Sequence, residues 1–201
     1  RSGIPPETKF LSTGPFQHCA SVLNYYNYYM KIGLMSLLIG ITTLAFGQTG
    51  VLREVWTQLD GSSVGELVTS ANYPEAPLMK TLEPEFRSQA NWADRYGVRM
   101  RALLTPPSSG SYTFWISGDD NCELWLSTDD TPANKVRIAR VSSWTNVDAW
   151  TTYPEQKSAP IALVGGRRYY VEALMKEGSG GDSLSVAWAT SPDATLVVIP
   201  G

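Results

Sequence analysis

Oxygen-donor chemistry is concentrated in one short stretch, Gly110 to Ser127 (GSYTFWISGDDNCELWLS), where two carboxylates, Asp119 and Asp120, stand side by side. Neighbouring side chains on a strand point to opposite faces, so adjacent aspartates meet at one point only where the backbone between them departs from strand geometry. A cis peptide would bring them together, and carboxylates converging in this way suit a hard cation that collects several oxygen ligands. The plainer reading is an ordinary turn, because Asp, Asn and Gly dominate turns. Beyond Gly47 the chain has no histidine and a single cysteine, Cys122. An oxygen-only site therefore favours calcium, and zinc and redox metals have no evident ligands. The same count excludes Ser-His-Asp and Cys-His catalysis from that region. Glycoside hydrolysis by a carboxylate pair would have to draw on Asp119, Asp120, Glu123, Glu177 or Asp182, and no motif singles out a pair. Cys122 reads as a small packing residue whose thiol an acidic loop makes less reactive.

The elements that must position these groups are strands. Tyr112, Phe114 and Ile116 share one face, and Thr113, Trp115 and Ser117 the other; Leu124 and Leu126 then alternate with Glu123, Trp125 and Ser127. Matching faces across a ladder predicts a hairpin with Ile116 opposite Leu124, Phe114 opposite Leu126 and Trp115 opposite Trp125, and 118–122 as its loop. Further strands are predicted over 51–56, 96–104, 135–141, 159–164, 168–176 and 183–189, with Asp129-Asp130-Thr131-Pro132 as a surface turn. Residues 57–94, broken by Gly61, Gly65, Pro74, Pro77 and Pro84, read as loops with a short helical turn near 64–69. The last two strands are joined by Glu177-Gly178-Ser179-Gly180-Gly181-Asp182, which either lets a ligand approach the backbone or is simply a flexible hairpin loop. Many short strands with Gly/Pro punctuation predict an all-β fold, an antiparallel β-sandwich or barrel.

The chain has 201 residues. Met30-Lys31, the uncharged apolar run 32–46 and the small-x-small exit Ala45-Phe46-Gly47 have the form of a secretory signal peptide over 30–47. The run is shorter than the roughly 20 residues a membrane span needs. Residues 1–29 are then expected to be an unstructured leader or an over-extended start, and 48–201 one domain, secreted, periplasmic or at the cell surface. That region holds 13 Lys and Arg against 18 Asp and Glu, and its net charge of −5 argues against nucleic acid as a partner. One cysteine allows no internal disulfide, and most of the seven tryptophans are expected to be packing residues. Trp144 and Trp150, in the less regular 142–153 segment, are candidates either to stack on a sugar ring or to plug the end of the fold. The domain is expected to act as a monomer or as part of a multidomain protein, with neighbouring modules possible beyond Gly201.

Several motifs lie in a familiar order: Val51-Leu52-Arg53-Glu54-Val55-Trp56, Tyr96-Gly97-Val98-Arg99-Met100-Arg101, Pro106-Pro107-Ser108-Ser109-Gly110-Ser111-Tyr112-Thr113-Phe114, the Asp-Asp loop closing with Leu124-Trp125-Leu126-Ser127, Gly166-Arg167-Arg168-Tyr169-Tyr170-Val171-Glu172, and Gly180-Gly181-Asp182-Ser183-Leu184-Ser185-Val186-Ala187-Trp188. From Gly50 onward the chain resembles the protective-antigen-type (PA-fourteen) β-barrel domain. The resemblance implies a module of secreted glycosidases, adhesins and toxins that often binds carbohydrate and accompanies separate catalytic domains. In the sugar-binding fungal branch the two neighbouring aspartates, here Asp119 and Asp120, are joined by a cis peptide and hold a calcium ion that also ligates sugar hydroxyls. That branch completes the site with an asparagine and backbone carbonyls from a late loop. The counterpart here, 177–182, offers Glu177 and Asp182 as metal ligands and no asparagine, with Gly180 and Asp182 facing a sugar beside Trp144 and Trp150. The resemblance thus implies a non-catalytic, calcium-dependent glycan-binding module; its alternative is a structural or protein-interaction β-module that binds no sugar.

Overall fold

The computed structural model describes residues 49–190 and 195–201. The expected leader and signal peptide, 1–29 and 30–47, lie outside the described residues. In chain order the elements are β1 (Val51–Thr57), α1 (Val64–Val68), β2 (Met79–Glu83), β3 (Tyr96–Leu104), β4 (Gly110–Asp119), β5 (Asn121–Leu126), β6 (Val136–Val141), β7 (Ile161–Leu163), β8 (Tyr169–Glu177), β9 (Ser183–Ala189) and β10 (Val197–Val198). They form two antiparallel sheets, ordered β2-β1-β3-β8-β5-β6 and β10-β9-β4-β7. No described helix is long and apolar enough to cross a membrane.

The predicted hairpin is not there. β4 pairs with β9 and β7, whereas β5 pairs with β8 and β6, so the two strands belong to different sheets. The facial pattern was still correct: Tyr112, Phe114 and Ile116 of β4 and Cys122, Leu124 and Leu126 of β5 all lie in one buried cluster. They meet across the sandwich rather than across a ladder. Alternation fixes which side faces the core, and it is equally satisfied by a strand that crosses to the opposite sheet. The same holds for β8 and β9, expected as a pair and found in different sheets.

Side chains from both inner faces fill the core, among them Val55, Val98, Met100, Val171, Met175, Leu184 and Val186. The outer face of the larger sheet carries a second, smaller core of Trp56, Val64, Leu67 and Leu174, where α1 packs down. Segment 142–158 covers the outside of β4: the Gln156 side-chain amide donates to the carbonyls of Ile116 and Ala149, and the Ser158 amide donates to Phe114. Two strands were absent from the sequence reading. β2 pairs with β1 through Val51↔Glu83 to Val55↔Met79, and β10 pairs with β9 through Val197↔Trp188. β2 was hidden by its position between prolines 77 and 84, and β10 by its length of two residues.

Candidate functional site

Two sheet crossings lie side by side at one end of the sandwich, and the topology requires it. β5 pairs with β8 through Asn121↔Lys176, and β4 pairs with β9 through Asp119↔Ser183. The β4-to-β5 crossing is therefore stacked against the β8-to-β9 crossing. The first is made by the peptide between Asp119 and Asp120, which is cis. The second is the 178–182 loop. Asp119, Asp120 and Glu177 each bring a carboxylate oxygen within 4.8 Å of the others.

The loop is held against the aspartates by its own backbone. The Gly178 amide donates to Asp120 Oδ2 at 3.0 Å, and the Gly180 amide to Asp94 Oδ1 at 3.0 Å. A side chain at Gly181 would have its Cβ 3.2 Å from Asp119 Oδ2 and 3.4 Å from Asn91 Oδ1, so the bare backbone is what lets the two crossings close. Gly180 has φ +120, a conformation that favours glycine, and it is exposed at the loop tip. Lys176 is fully buried beneath the crossing, and its Nζ donates to the carbonyls of Gly61 and Glu177 at 2.5 and 2.6 Å.

Glu177 is fully buried, and its carboxylate oxygens have no hydrogen bond of good geometry within the protein, although the Asp120 amide approaches them. Burial raises its pKa to about 7, with the charges of Asp120, Asp119 and Asp182 adding to the effect. Burial likewise raises Asp119 to about 6, followed by the charges of Asp120 and Asp182. Burial and the repulsion of like charges disfavour full ionisation of three carboxylates pressed together, one of them sealed from water. Cys122 is buried, and burial rather than the acidic loop is the main reason its thiol pKa is pushed far up.

The sequence-predicted residues divide into three groups. Asp119, Asp120 and Glu177 come together. Asp182 stands outside that triplet, in a role the sequence did not suggest: its Oδ2 accepts from the backbone amides of Trp92 and Ala93 at 2.6 and 3.1 Å, which ties segment 91–95 to the site. Its Oδ1 is buried without a partner. Trp144 is the one exposed tryptophan of the seven, and it is adjacent to Thr145, whose amide and hydroxyl both hydrogen-bond the Gly118 carbonyl. Trp150 is half-buried along the 142–158 segment, where the neighbouring Ala149 carbonyl is held by Gln156.

Residues the sequence reading passed over complete the surroundings. Asn91, with φ +51, donates its amide to Asp182 O at 2.9 Å and places its side-chain oxygen on the Asp119 side of Gly181. Arg95, with φ +56, donates its amide to Gly178 O and accepts from the Leu59 amide, both at 2.9 Å. Segment 84–95 carries no periodicity, and nothing in it signals a site. A cavity of about 530 Å³ opens over the crossings, lined by Gly61, Ser62, Arg95, Asp120, Gly178 and Ser179.

The family profile of the PA14 domain matches residues 60–200. The chain belongs to the PA14 domain family. Among curated proteins the chain is similar to the mouse enzyme N-acetyl-beta-glucosaminyl-glycoprotein 4-beta-N-acetylgalactosaminyltransferase 1, 34% identical over 133 residues, which cover 64% of the chain and 13% of the enzyme. It is also similar to human Fibrocystin-L, 37% identical over 84 residues, 42% of the chain and 2% of that protein. This PA14 chain thus spans about an eighth or less of these two relatives. Among solved structures it resembles a PA14 sugar-binding domain from an RTX adhesin, with a TM-score of 0.55, 12% identity and coverage of 76% of this chain and 98% of that one. An epithelial adhesin 6 A domain from Candida glabrata, in complex with Galb1-3GlcNAc, has a TM-score of 0.52 at 16% identity, covering 76% and 84%. At these identities the structural likeness establishes the shared fold.

Proposed function

We propose that this PA14 domain is a non-catalytic, calcium-dependent carbohydrate-binding module of a larger secreted, periplasmic or cell-surface protein. The observation that carries the reading is the buried, unpartnered carboxylate of Glu177 converging with Asp119 and Asp120. The donor set is all oxygen and suits calcium, with Asp119, Asp120 and Glu177 as ligands and the Asn91 amide oxygen beside them. Bound calcium would offer its remaining coordination positions to vicinal sugar hydroxyls. The chain's own residues do the rest: Gly178–Gly181 let a ligand reach the metal ligands, and Trp144 presents an exposed ring next to the crossing. Sugar-binding members among the structural relatives support a glycan partner. The transferase relative is matched over too little of its length to lend its activity. Export through residues 30–47 belongs to the same proposal, and mass spectrometry of the native N-terminus tests it: recovery of residues 1–29 in the exported protein would exclude it.

A glycan array probed with and without calcium tests sugar binding directly. Calcium-dependent hits support the module; an empty array in both conditions leaves the structural or protein-interaction alternative. Trp144→Ala is expected to weaken the best array hit by about fivefold or more, the loss of roughly 1 kcal/mol typical of an aromatic anchor. Calcium affinity should not change in that variant, and equal sugar affinity in both proteins would remove Trp144 from the site. The raised pKa values set the pH dependence. Ligation requires Glu177 and Asp119 to be ionised, so protons compete with calcium below about pH 7 and about pH 6 respectively. Calcium titrations at two pH values on either side of that range should differ by more than about tenfold, tighter at the higher pH. A pH-independent dissociation constant would contradict the assignment.

A further inference from the structure

We infer that the mouth of this site selects glycans bearing an anionic group, a carboxylate or a sulfate ester, and that Arg95 is the residue that reads it. The inference rests on the sugar-binding proposal above and adds the class of ligand. Arg95 is the one cationic side chain among the six residues lining the cavity over the crossings. The other nearby cation, Lys176, is buried, and its Nζ already donates to two carbonyls.

The backbone of Arg95 is pinned in a way that serves its side chain. Its φ of +56 is a left-handed conformation uncommon for a large residue. Two hydrogen bonds hold it there, one to Gly178 O in the Gly-rich crossing and one from the Leu59 amide in the opposite wall. The main chain of Arg95 is thus fixed between the two sides of the mouth, and its exposed guanidinium reaches out from that fixed point. Its own partner is Asp60, at 2.6 Å, with side-chain exposures of 59% and 87%. An ion pair this exposed contributes at most about 1 kcal/mol, so a ligand anion can displace Asp60 at small cost. A guanidinium also matches carboxylate and sulfate oxygens with paired donors, which an ammonium cannot do.

The charge balance allows the selection. With a divalent cation bound, that ion and the buried ammonium of Lys176 balance the carboxylates of Asp119, Asp120 and Glu177. An anionic substituent is then drawn to the exposed guanidinium of Arg95, and its position on the sugar is dictated by that residue.

The test is a glycan array carrying neutral, sialylated, uronate and sulfated glycans, probed in calcium with the full chain and with Arg95→Gln and Asp60→Asn. Acidic glycans should lead the hits, and the array arms distinguish carboxylate from sulfate. Arg95→Gln should weaken those hits by about tenfold, whereas Asp60→Asn, which removes the competing carboxylate, should strengthen them. Opposite signs from two surface substitutions are not produced by a folding defect. Hits confined to neutral glycans, or acidic hits indifferent to both substitutions, would overturn the inference and leave calcium-dependent sugar binding standing. An array empty in calcium would instead sink the underlying proposal.

Discussion

Replacing Glu177 by glutamine should raise the stability of the calcium-free protein at pH 8 while sharply reducing its response to calcium. Glu177 is fully buried and neither of its oxygens has a hydrogen bond of good geometry. Its folded pKa of about 7 lies above the ordinary carboxylate value of 4.5. Between those two values the folded state binds more protons than the unfolded chain, so stability falls as pH rises through the window. The contribution is fully present below about pH 4.5 and is lost by about pH 7. Glutamine removes the ionisation and with it a loss that the shift from 4.5 to about 7 puts at about 3 kcal/mol, while its own unpaired amide offsets part of the gain. In a domain of this size each kcal/mol moves the melting temperature by roughly 2–4 °C. Thermal unfolding at pH 5 and pH 8, with calcium and with a chelator, is the measurement. The variant should melt higher than the parent in chelator at pH 8 and lower in calcium. A variant less stable in both conditions would mean that Glu177 has a structural partner and is not waiting for a cation.

Lys176→Met should be the most destabilising single change near the site. The lysine is fully buried, and burial holds its pKa below the usual value against the pull of Glu66, Glu177, Asp120 and Asp60. Its Nζ ties the Gly61 carbonyl on one side of the mouth to the Glu177 carbonyl on the other. Methionine fills the same space but leaves both carbonyls without that donor and the acidic cluster without its buried cation. Breaking a buried charge arrangement by removing one member costs about 3–5 kcal/mol. Denaturant unfolding should show a lower midpoint at unchanged slope. A change below about 1 kcal/mol would mean that water replaces the ammonium, and that the mouth is not held together from beneath.

The strands of this protein were legible because their faces are. β3 over Tyr96–Leu104 and β9 over Ser183–Ala189 fall where alternation placed them. Sheet membership was not legible. The hydrophobic alternation of β4 and β5 is satisfied equally by a hairpin and by a crossing between sheets, and only the pairing of β5 with β8 and of β4 with β9 distinguishes the two. The site shows the same limit at the level of a dipeptide. Asp-Asp occurs at 119–120 and again at 129–130. At the second position Asp129 is an ordinary turn residue: it accepts from the Thr131 amide and hydroxyl and from Asn134, and these hydrogen bonds pull its pKa down to about 2. At the first, burial and neighbouring carboxylates push Asp119 up to about 6. Identical residues have opposite electrostatics because Asp129 is surrounded by hydrogen-bond donors, whereas Asp119 sits at a crossing packed against other carboxylates. Asn91 and Arg95 gave no signal at all, since they reach the site from a segment whose proximity depends on hydrogen bonds that its amides donate to Asp182 and Gly178.

Calcium titration calorimetry on the chain, beside a variant carrying Asp119→Ala and Asp120→Ala, tests the central claim most directly. The parent should bind one calcium with micromolar-to-millimolar affinity, and the variant should show no binding heat. No heat in either protein, or equal heat in both, would mean that Asp119, Asp120 and Glu177 converge without serving as a calcium site.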